Sequence, residues 1–295
     1  MCPMASESSR GSSARPGVHP APGARQPRRG PQRSIGRLGE GSHASGTRRP
    51  AAIAPNRLIY GINPVREALG GNRRLHRVWY HESVAGRDLS AQFQAWACAA
   101  GQPVGRLLPA PVEELVALSG ALDHQGLVAE ADAYAYADPE HVLQSNSLLL
   151  ALDRIQDPQN LGAIIRSAEI AGAAVVIPRH RAAEVTGAVV KAAAGATEHA
   201  AVARVRNLAD FIAEAQGAGF WVYGAAARGG LYDEQDYRAR TVFVLGSEGE
   251  GLGSRVEAAC DVLVGIPQSG KVGSLNVSVA AAVLLFEAVR QRRSP

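Results

Sequence analysis

Cysteine, lysine and long apolar runs are scarce in this 295-residue sequence, and each scarcity excludes a class of protein. The three cysteines, Cys2, Cys98 and Cys260, form neither a C-x-x-C pair nor a cysteine–histidine spacing. Neither a metal site nor a disulfide framework is predicted, and the setting favoured is a reducing cytoplasm. No apolar run approaches the roughly 20 residues of a bilayer span, and no signal-peptide pattern is visible, so no membrane association is expected.

Lysine occurs only twice, so arginine carries most of the positive charge, and it is concentrated near the N-terminus. Residues 1–56 hold nine arginines against two glutamates, a formal charge of +7, whereas the whole chain has +4. This segment is rich in Ser, Gly, Pro and Ala and has few large aliphatic side chains, so it is predicted to be disordered. Two interpretations stay open: a solvated leader, or an electrostatic tether to RNA that weakens as salt rises.

Residues 57–133 have the pattern of a small α/β domain. A helix is predicted at 63–69, with Asn63 as its N-cap and Pro64 at its first helical position. The other predicted elements are a strand at 77–80, helices near 89–100 and 112–118, and a strand at 126–130. Residues 134–146 are mostly polar and contain Pro139, which favours a linker.

Residues 147–295 alternate between short apolar runs and helical patterns, which predicts an α/β domain with a parallel sheet and helices on both faces. The predicted strands are 148–152, 174–177, 201–205, 220–223, 242–245 and 262–266. Helices are predicted between them at 161–171, 186–194 and 208–218.

A final helix is predicted near the C-terminus, where apolar residues recur at a spacing of three to four. Its predicted stripe, expected to pack on the sheet, consists of Leu275, Val279, Val283, Phe286 and Val289.

Two glycine- and serine-rich turns follow the strands predicted at 242–245 and 262–266, so both are expected at the strand ends where open parallel sheets bind ligands. The first turn carries Glu248 and Glu250 and no lysine or arginine, so a pyrophosphate would meet like charge there. A dinucleotide is disfavoured for this reason, and a G-x-G-x-x-G fingerprint is also absent, which argues against a nicotinamide oxidoreductase. A neutral or cationic adenosine ligand fits better, and S-adenosylmethionine is the predicted cofactor.

Three segments resemble the motifs of the SpoU/TrmH family of RNA ribose 2′-O-methyltransferases: DPQNLGAIIRSAEIAG (157–172), FVLGSEGEGL (243–252) and IPQSGKVGSLNVSVAAAVLLFEAVRQR (266–292). They occur in the family's order, and residues 57–69 and 124–131 resemble its small substrate-binding domain, so the likeness covers about residues 57–293. The resemblance is greatest to members that methylate a guanosine of 23S rRNA. It implies a parallel-sheet domain with a trefoil knot, methyl transfer to RNA, and a homodimer paired through the knotted regions.

The resemblance also assigns functional residues. The residues that match the family's catalytic positions are Asn160, Arg166, Glu248, Ser274 and Asn276. Those that match its adenosine pocket are Ala225, in a predicted turn at 224–226, together with Leu245, Gly246, Ile266 and Leu275. From sequence alone, Asn160, Ser274 and Asn276 also suit helix caps. A guanidinium hardly deprotonates, so Arg166 is expected to clamp a phosphate and stabilise charge, with the proton acceptor left open.

Two alternative functions stay open: a tRNA methyltransferase of the same family, and a non-catalytic protein that binds rRNA during ribosome assembly. The small N-terminal domain favours rRNA over tRNA. The presence of all five candidate catalytic residues argues against a protein that only binds. Lys271, in the third motif, is a further candidate RNA contact, although a solvated loop charge explains it equally well.

Overall fold

This computed structural model describes residues 53–82, 88–103, 105–270 and 273–293. The described part of the chain contains two β-sheets. The predicted basic tail lies outside the described residues, apart from its last four positions, and so does Lys271. Nothing in the described part forms a helix that is long and apolar enough to cross a membrane.

The N-terminal sheet has four strands in the order β1-β4-β2-β3, and only the pair β2 and β3 is parallel. Its elements are β1 (Leu58–Tyr60), α1 (Ile62–Gly70), β2 (Leu75–Tyr80), α2 (Leu89–Ala99), β3 (Arg106–Pro109), α3 (Val112–Ser119) and β4 (Leu127–Ala131). The prediction of Asn63 as N-cap of α1 was wrong, because Gly61 holds that position and Asn63 lies inside the first turn. Sequence patterns missed β1 and β3, which have only three and four residues.

The C-terminal sheet confirms the predicted parallel architecture: six strands in the order β10-β8-β9-β5-β6-β7, with every neighbouring pair parallel. Its strands are β5 (Leu148–Leu152), β6 (Ala174–Pro178), β7 (Val202–Val205), β8 (Trp221–Leu231), β9 (Thr241–Leu245) and β10 (Val262–Gly265). The helices that follow them are α5 (Pro158–Ala171), α6 (Gly187–Ala192), α7 (Leu208–Gly217), α8 (Ser254–Ala258) and α9 (Val277–Arg293). Both central strands, β5 and β9, are buried at every residue, which explains why every residue in them except Thr241 is apolar.

The segment predicted as a linker, residues 134–146, is folded. It contains α4 (Pro139–Ser145), whose N-cap Asp138 accepts hydrogen bonds from the backbone N–H groups of Glu140 (2.9 Å) and His141 (3.1 Å). Val142 and Leu143 of α4 are buried in the core on one face of the large sheet. The polar composition that favoured a linker therefore reflects one exposed helix face.

A buried ion pair joins the two sheet regions. Arg73, after α1, contacts Glu198 at 3.0 Å, and the two side chains are only 8% and 1% exposed. Arg73 also donates to the backbone carbonyls of Asn56 and Asp132, so most of its donors are satisfied. Burial raises the pKa of Glu198, while the adjacent Arg73 acts in the opposite direction. Removing either partner would leave an uncompensated buried charge, so this pair holds the regions in one arrangement.

Helix α9 presents a different face to the core from the one predicted. Its buried residues are Val277, Ala281, Leu284, Leu285, Ala288 and Gln291. Val279 and Phe286, from the predicted stripe, are instead 48% and 44% exposed. Because α9 is apolar on two faces, spacing alone could not tell which one packs inward. Small residues at 281 and 288 suit the close packing of α9 against α5.

Candidate active site at the carboxyl edge of the parallel sheet

A cavity of about 520 Å³ opens where β9 and β10 end and α9 begins. All five predicted cofactor-binding residues line it: Ala225, Leu245, Gly246, Ile266 and Leu275. Most of the remaining lining is glycine, alanine and aliphatic side chains, and the only charged residue among the described lining residues is Glu248. The structure therefore brings residues from three separate sequence regions around one largely apolar cavity.

Ala225 reaches this cavity from an irregularity in β8 and not from the predicted turn at 224–226. Leu263 of β10 pairs with Gly224, but the next residue, Val264, pairs with Gly230. Residues 225–229 therefore leave the regular ladder as a bulge, and Ala225, Ala226 and Ala227 line the cavity. Bulges commonly redirect strand residues next to functional sites.

Gly246 is required by the shape of the loop that follows β9. The loop folds back on itself, with Gly251 donating its N–H to the carbonyl of Ser247 at 2.9 Å. A Cβ atom at position 246 would lie 2.1 Å from the backbone carbon and oxygen of Gly251 and 2.4 Å from the nitrogen of Leu252. Because these are backbone atoms, any larger residue would displace the loop that forms one wall of the cavity.

Three of the predicted catalytic side chains form one hydrogen-bonded network beside the cavity. Glu248 Oε1 accepts from Asn160 Nδ2 at 3.0 Å and from Asn276 Nδ2 at 2.6 Å, and also from the backbone N–H of Val277 at 3.3 Å. Asn276 Nδ2 lies 2.9 Å from Asn160 Oδ1 as well. The network joins the first turn of α5 and the loop after β9 to the start of α9. Ser274 lines the adjoining cavity.

The capping interpretation fits one of these asparagines but not the other. Asp157 caps α5 by accepting from the N–H of Gln159 at 3.0 Å, which leaves the Asn160 side chain free for the network. Asn276 has both roles, because its Oδ1 accepts from the N–H of Ser278 at 2.9 Å while its Nδ2 donates to Glu248.

Arg166 does not join this network within one copy of the chain. It lies six residues after Asn160 on α5, which turns it by about 240° around the helix axis. Its side chain is exposed and does not line the cavity beside Glu248. Ile170 follows Arg166 by four residues, so the two share one helix face, and Ile170 is 61% exposed.

A second, more polar cavity of about 440 Å³ lies on the other side of Glu248. Asn160, Asp157 and Glu248 line it, together with two arginines that the sequence analysis missed, Arg154 and Arg181. Arg154 contacts Glu250 Oε2 through Nη1 at 2.6 Å and donates to the carbonyl of Gly251 at 3.1 Å. Both arginines come just after a strand, and that position in a parallel sheet is the signal that could have found them.

Cys260, which follows α8, is poorly suited to act as a nucleophile. Burial raises the pKa of Cys260 to about 12, with Asp261 and Glu257 adding to the shift, so Cys260 is a neutral thiol at neutral pH. Its thiol packs beside Gly224, where it helps to exclude a larger side chain.

Comparisons with known proteins agree with this geometry. Residues 147–286 match the family described as SpoU rRNA Methylase, and residues 58–137 match the family described as RNA 2′-O ribose methyltransferase substrate binding. The chain is 40% identical to the 23S rRNA (guanosine-2′-O-)-methyltransferase RlmB of Ralstonia nicotianae, a match that covers 81% of this chain and 98% of that protein.

Two further similarities extend the comparison. An uncharacterized tRNA/rRNA methyltransferase of Synechocystis sp. is 38% identical over 80% of this chain, which spans 62% of that protein's length. The crystal structure of an S-adenosylmethionine-bound rRNA methyltransferase from Sinorhizobium meliloti superposes with a TM-score of 0.66 at 28% identity, covering 80% of this chain and 88% of that one.

Proposed function

Because this chain belongs to the SpoU family of RNA methyltransferases, we propose that it transfers a methyl group from S-adenosylmethionine to the ribose 2′-hydroxyl of a guanosine in 23S rRNA. One observation carries the proposal: Glu248, which is hydrogen-bonded to Asn160 and Asn276, lines both an apolar cavity and a polar one. That arrangement suits a small organic cofactor on one side and a nucleotide on the other. We also propose a cytoplasmic location, with which an rRNA substrate is consistent.

The first cavity fits S-adenosylmethionine on chemical grounds. Its volume of about 520 Å³ lies within the usual range for small-molecule sites, and its described lining includes no cation that would select a phosphate. Leu245, Gly246, Ile266, Leu275 and Ala225 would hold the adenosine, and Glu248 would face the positive charge of the sulfonium. When bound, the cofactor supplies the electrophilic methyl group.

The polar network suits a role in positioning. Methyl transfer requires the ribose oxygen to approach in line, so the groups that orient it must be rigid. Glu248 Oε1 already accepts three hydrogen bonds, which makes that oxygen a good anchor for Asn160 and Asn276. We assign the two asparagines to orienting the 2′-hydroxyl, and Ser274 to the cofactor side.

We also propose a homodimer. Val279 and Phe286 on α9 and Ile170 on α5 are 48%, 44% and 61% exposed, and the two helices that carry them pack together. Large exposed apolar side chains on two adjacent helices favour a protein interface. Arg166 lies one turn before Ile170, so pairing through this face would direct Arg166 toward a second copy, where it could clamp the substrate phosphate. The trefoil knot implied by the family resemblance stays a prediction.

The test is methyl transfer from labelled S-adenosylmethionine to transcripts of 23S rRNA and of tRNA, side by side, followed by nucleoside analysis. We expect 2′-O-methylguanosine in the 23S transcript. An Asn160→Ala variant is the control, because it should lose transfer while still binding the cofactor in calorimetry. Label in tRNA alone would select the tRNA alternative. RNA binding without transfer, in a protein shown to bind the cofactor, would select the non-catalytic alternative.

A further inference from the structure

A groove lined by arginines continues from the polar cavity across the ends of β5, β6 and β7. Its volume is about 420 Å³, and we define the arginine groove by four of its lining residues, Arg154, Arg181, Arg206 and Arg255. Arg154 and Arg181 line both the groove and the polar cavity, so the two spaces are contiguous. The sheet register explains the grouping. Pro178 of β6 pairs with Val205 of β7, and Leu152 of β5 pairs with Leu245 of β9, so the segments after these strands emerge side by side.

Most of the charge in the groove has no partner. Arg181, Arg206 and Arg255 are exposed, and within the described part of the chain none of their side chains makes a hydrogen bond or an ion pair. The acidic residue among the groove's lining is Asp153, which is 6% exposed and already bound by Arg154 and by the N–H of Gly253 at 2.7 Å. Three converging cations without an anion repel one another, and a bound anion would relieve that repulsion.

Backbone conformation sets two of these arginines apart. Four non-glycine residues in the described chain have positive φ, and two of them are Arg154 (φ 61°) and Arg181 (φ 59°). This conformation is disfavoured for residues other than glycine, and where it is retained it commonly marks a functional site. The positive φ angles occur at the two residues shared by the groove and the polar cavity.

The N-terminus of a helix adds to the positive potential. Helix α7 begins at Leu208, which lines the groove together with its N-cap, Asn207. Unpaired N–H groups and the helix dipole favour an anion at such an end.

We propose that the arginine groove binds the phosphodiester backbone of the RNA nucleotides next to the one that is methylated. This inference rests on the proposed function, because it places the target nucleotide in the polar cavity and continues the RNA strand from there. Arginine suits the role, since its planar guanidinium binds phosphate oxygens in pairs and carries no sequence preference. The groove would therefore fix the path of the RNA strand, and other contacts would select the nucleotide.

The test is a salt titration of RNA binding with the full-length protein and a 23S rRNA fragment. The variant Arg206→Gln/Arg255→Gln should lower the slope of log affinity against log salt by about 0.7 for each phosphate that it no longer neutralises, thus by about 1.4. A lysine version, Arg206→Lys/Arg255→Lys, should keep most of the slope because it keeps the charge. The matched control is Arg238→Gln, which removes an exposed arginine three residues before β9, at the opposite edge of the sheet.

Steady-state kinetics give the second readout. The double glutamine variant should raise the KM for RNA by about tenfold, with kcat at saturating RNA and cofactor affinity both unchanged. Unchanged cofactor affinity also verifies that the variant is folded. If the salt slope and the KM of this variant equal those of the wild type, the arginine groove does not bind RNA. The proposed function would be unaffected by that result. A groove-dependent slope in a wild-type protein that transfers no methyl group would instead overturn the proposed function alone.

Discussion

The two halves of the sheet's carboxyl edge are lined by residues of contrasting polarity. Over β8, β9 and β10 the edge is lined by glycine, alanine and aliphatic residues and encloses an apolar cavity. Over β5, β6 and β7, and beside the start of α8, it is lined by four arginines. One edge therefore presents an apolar cavity beside a strongly basic groove, and this contrast agrees with the proposed cofactor site in one half and the proposed RNA site in the other.

The boundary between these halves is where the chain changes direction across the sheet. From β5 the chain continues to β6 on one side, and from β9 it continues to β10 on the other, although β5 and β9 are neighbours. Their ends are level, because Leu152 pairs with Leu245. Ligands of open parallel sheets bind at such a switch point. The hydrogen bond between Asn160 and Glu248 spans it, so the proposed site of methyl transfer lies between the two halves.

The largest effect is expected for Arg166→Ala. This variant tests whether the proposed site of methyl transfer needs an arginine that does not reach it within one copy of the chain. We expect methyl transfer to fall by about 10²–10³, the usual loss when a group that stabilises transition-state charge is removed. Cofactor affinity should change little, because Arg166 does not line the apolar cavity. Arg166→Lys should fail as well, since a point charge cannot replace a planar fork. Calorimetry that finds cofactor affinity lost together with activity would contradict this assignment.

Gly246→Ala should impair the glycine-lined half of the edge and leave the arginine half unaffected. The added Cβ would meet backbone at 2.1 Å, so the loop must move, and we expect cofactor affinity to fall about a hundredfold, or about 2.8 kcal/mol. RNA affinity and its salt slope should stay at wild-type values. Gly230→Ala is the matched control, because its Cβ would have only one neighbour, at 3.8 Å. Equal loss in both variants would show that strand disruption, and not the loop, is responsible.

Phe286→Glu should also weaken cofactor binding in the glycine-lined half, because it should disrupt the proposed dimer. Helix α9 lines the apolar cavity with Ala280 and Leu284 while it exposes Phe286, so a charge at 286 should separate the copies and loosen the cavity wall. We expect sedimentation to give a monomer whose cofactor affinity is lowered about tenfold, or about 1.4 kcal/mol. The control is Glu214→Gln, a change on α7 away from this face. A wild-type protein that is a stable, fully active monomer at micromolar concentration would refute the dimer.

The smallest effect is expected for Arg181→Gly, which separates function from stability in the arginine half. Glycine accepts the positive φ of 59° without strain, so the free energy of unfolding should rise by up to about 1 kcal/mol while RNA affinity falls a few fold. Arg255→Gly removes a similar charge from α8, where glycine should lower stability by about 1 kcal/mol. Denaturant melts and RNA titrations of both variants check this. Equal destabilisation would mean that the backbone at 181 is not strained.

Sequence patterns pointed to the residues that line the glycine-rich half and gave no indication of the arginine half. Ile266 and Leu275 were placed beside Gly246 because a family motif and two adjacent glycine turns pointed to one pocket, and the structure does line one cavity with them. No motif connects Arg154 with Arg255, since they are about a hundred residues apart and each resembles an ordinary surface cation. Only the pairing of β5 with β9 brings together the segments that follow these strands, and with them the two arginines.

By itself the sequence determined the parallel sheet, because strands buried on both faces must be continuously apolar and the spacing of strands and helices admits few alternatives. It also determined where the chain can turn tightly, because glycine alone accepts the contacts at position 246. Only the tertiary structure decided which face of α9 packs inward and which arginines share a groove. Local periodicity indicates how apolar a helix face is. Which elements pack against that face depends on contacts between residues far apart in the chain.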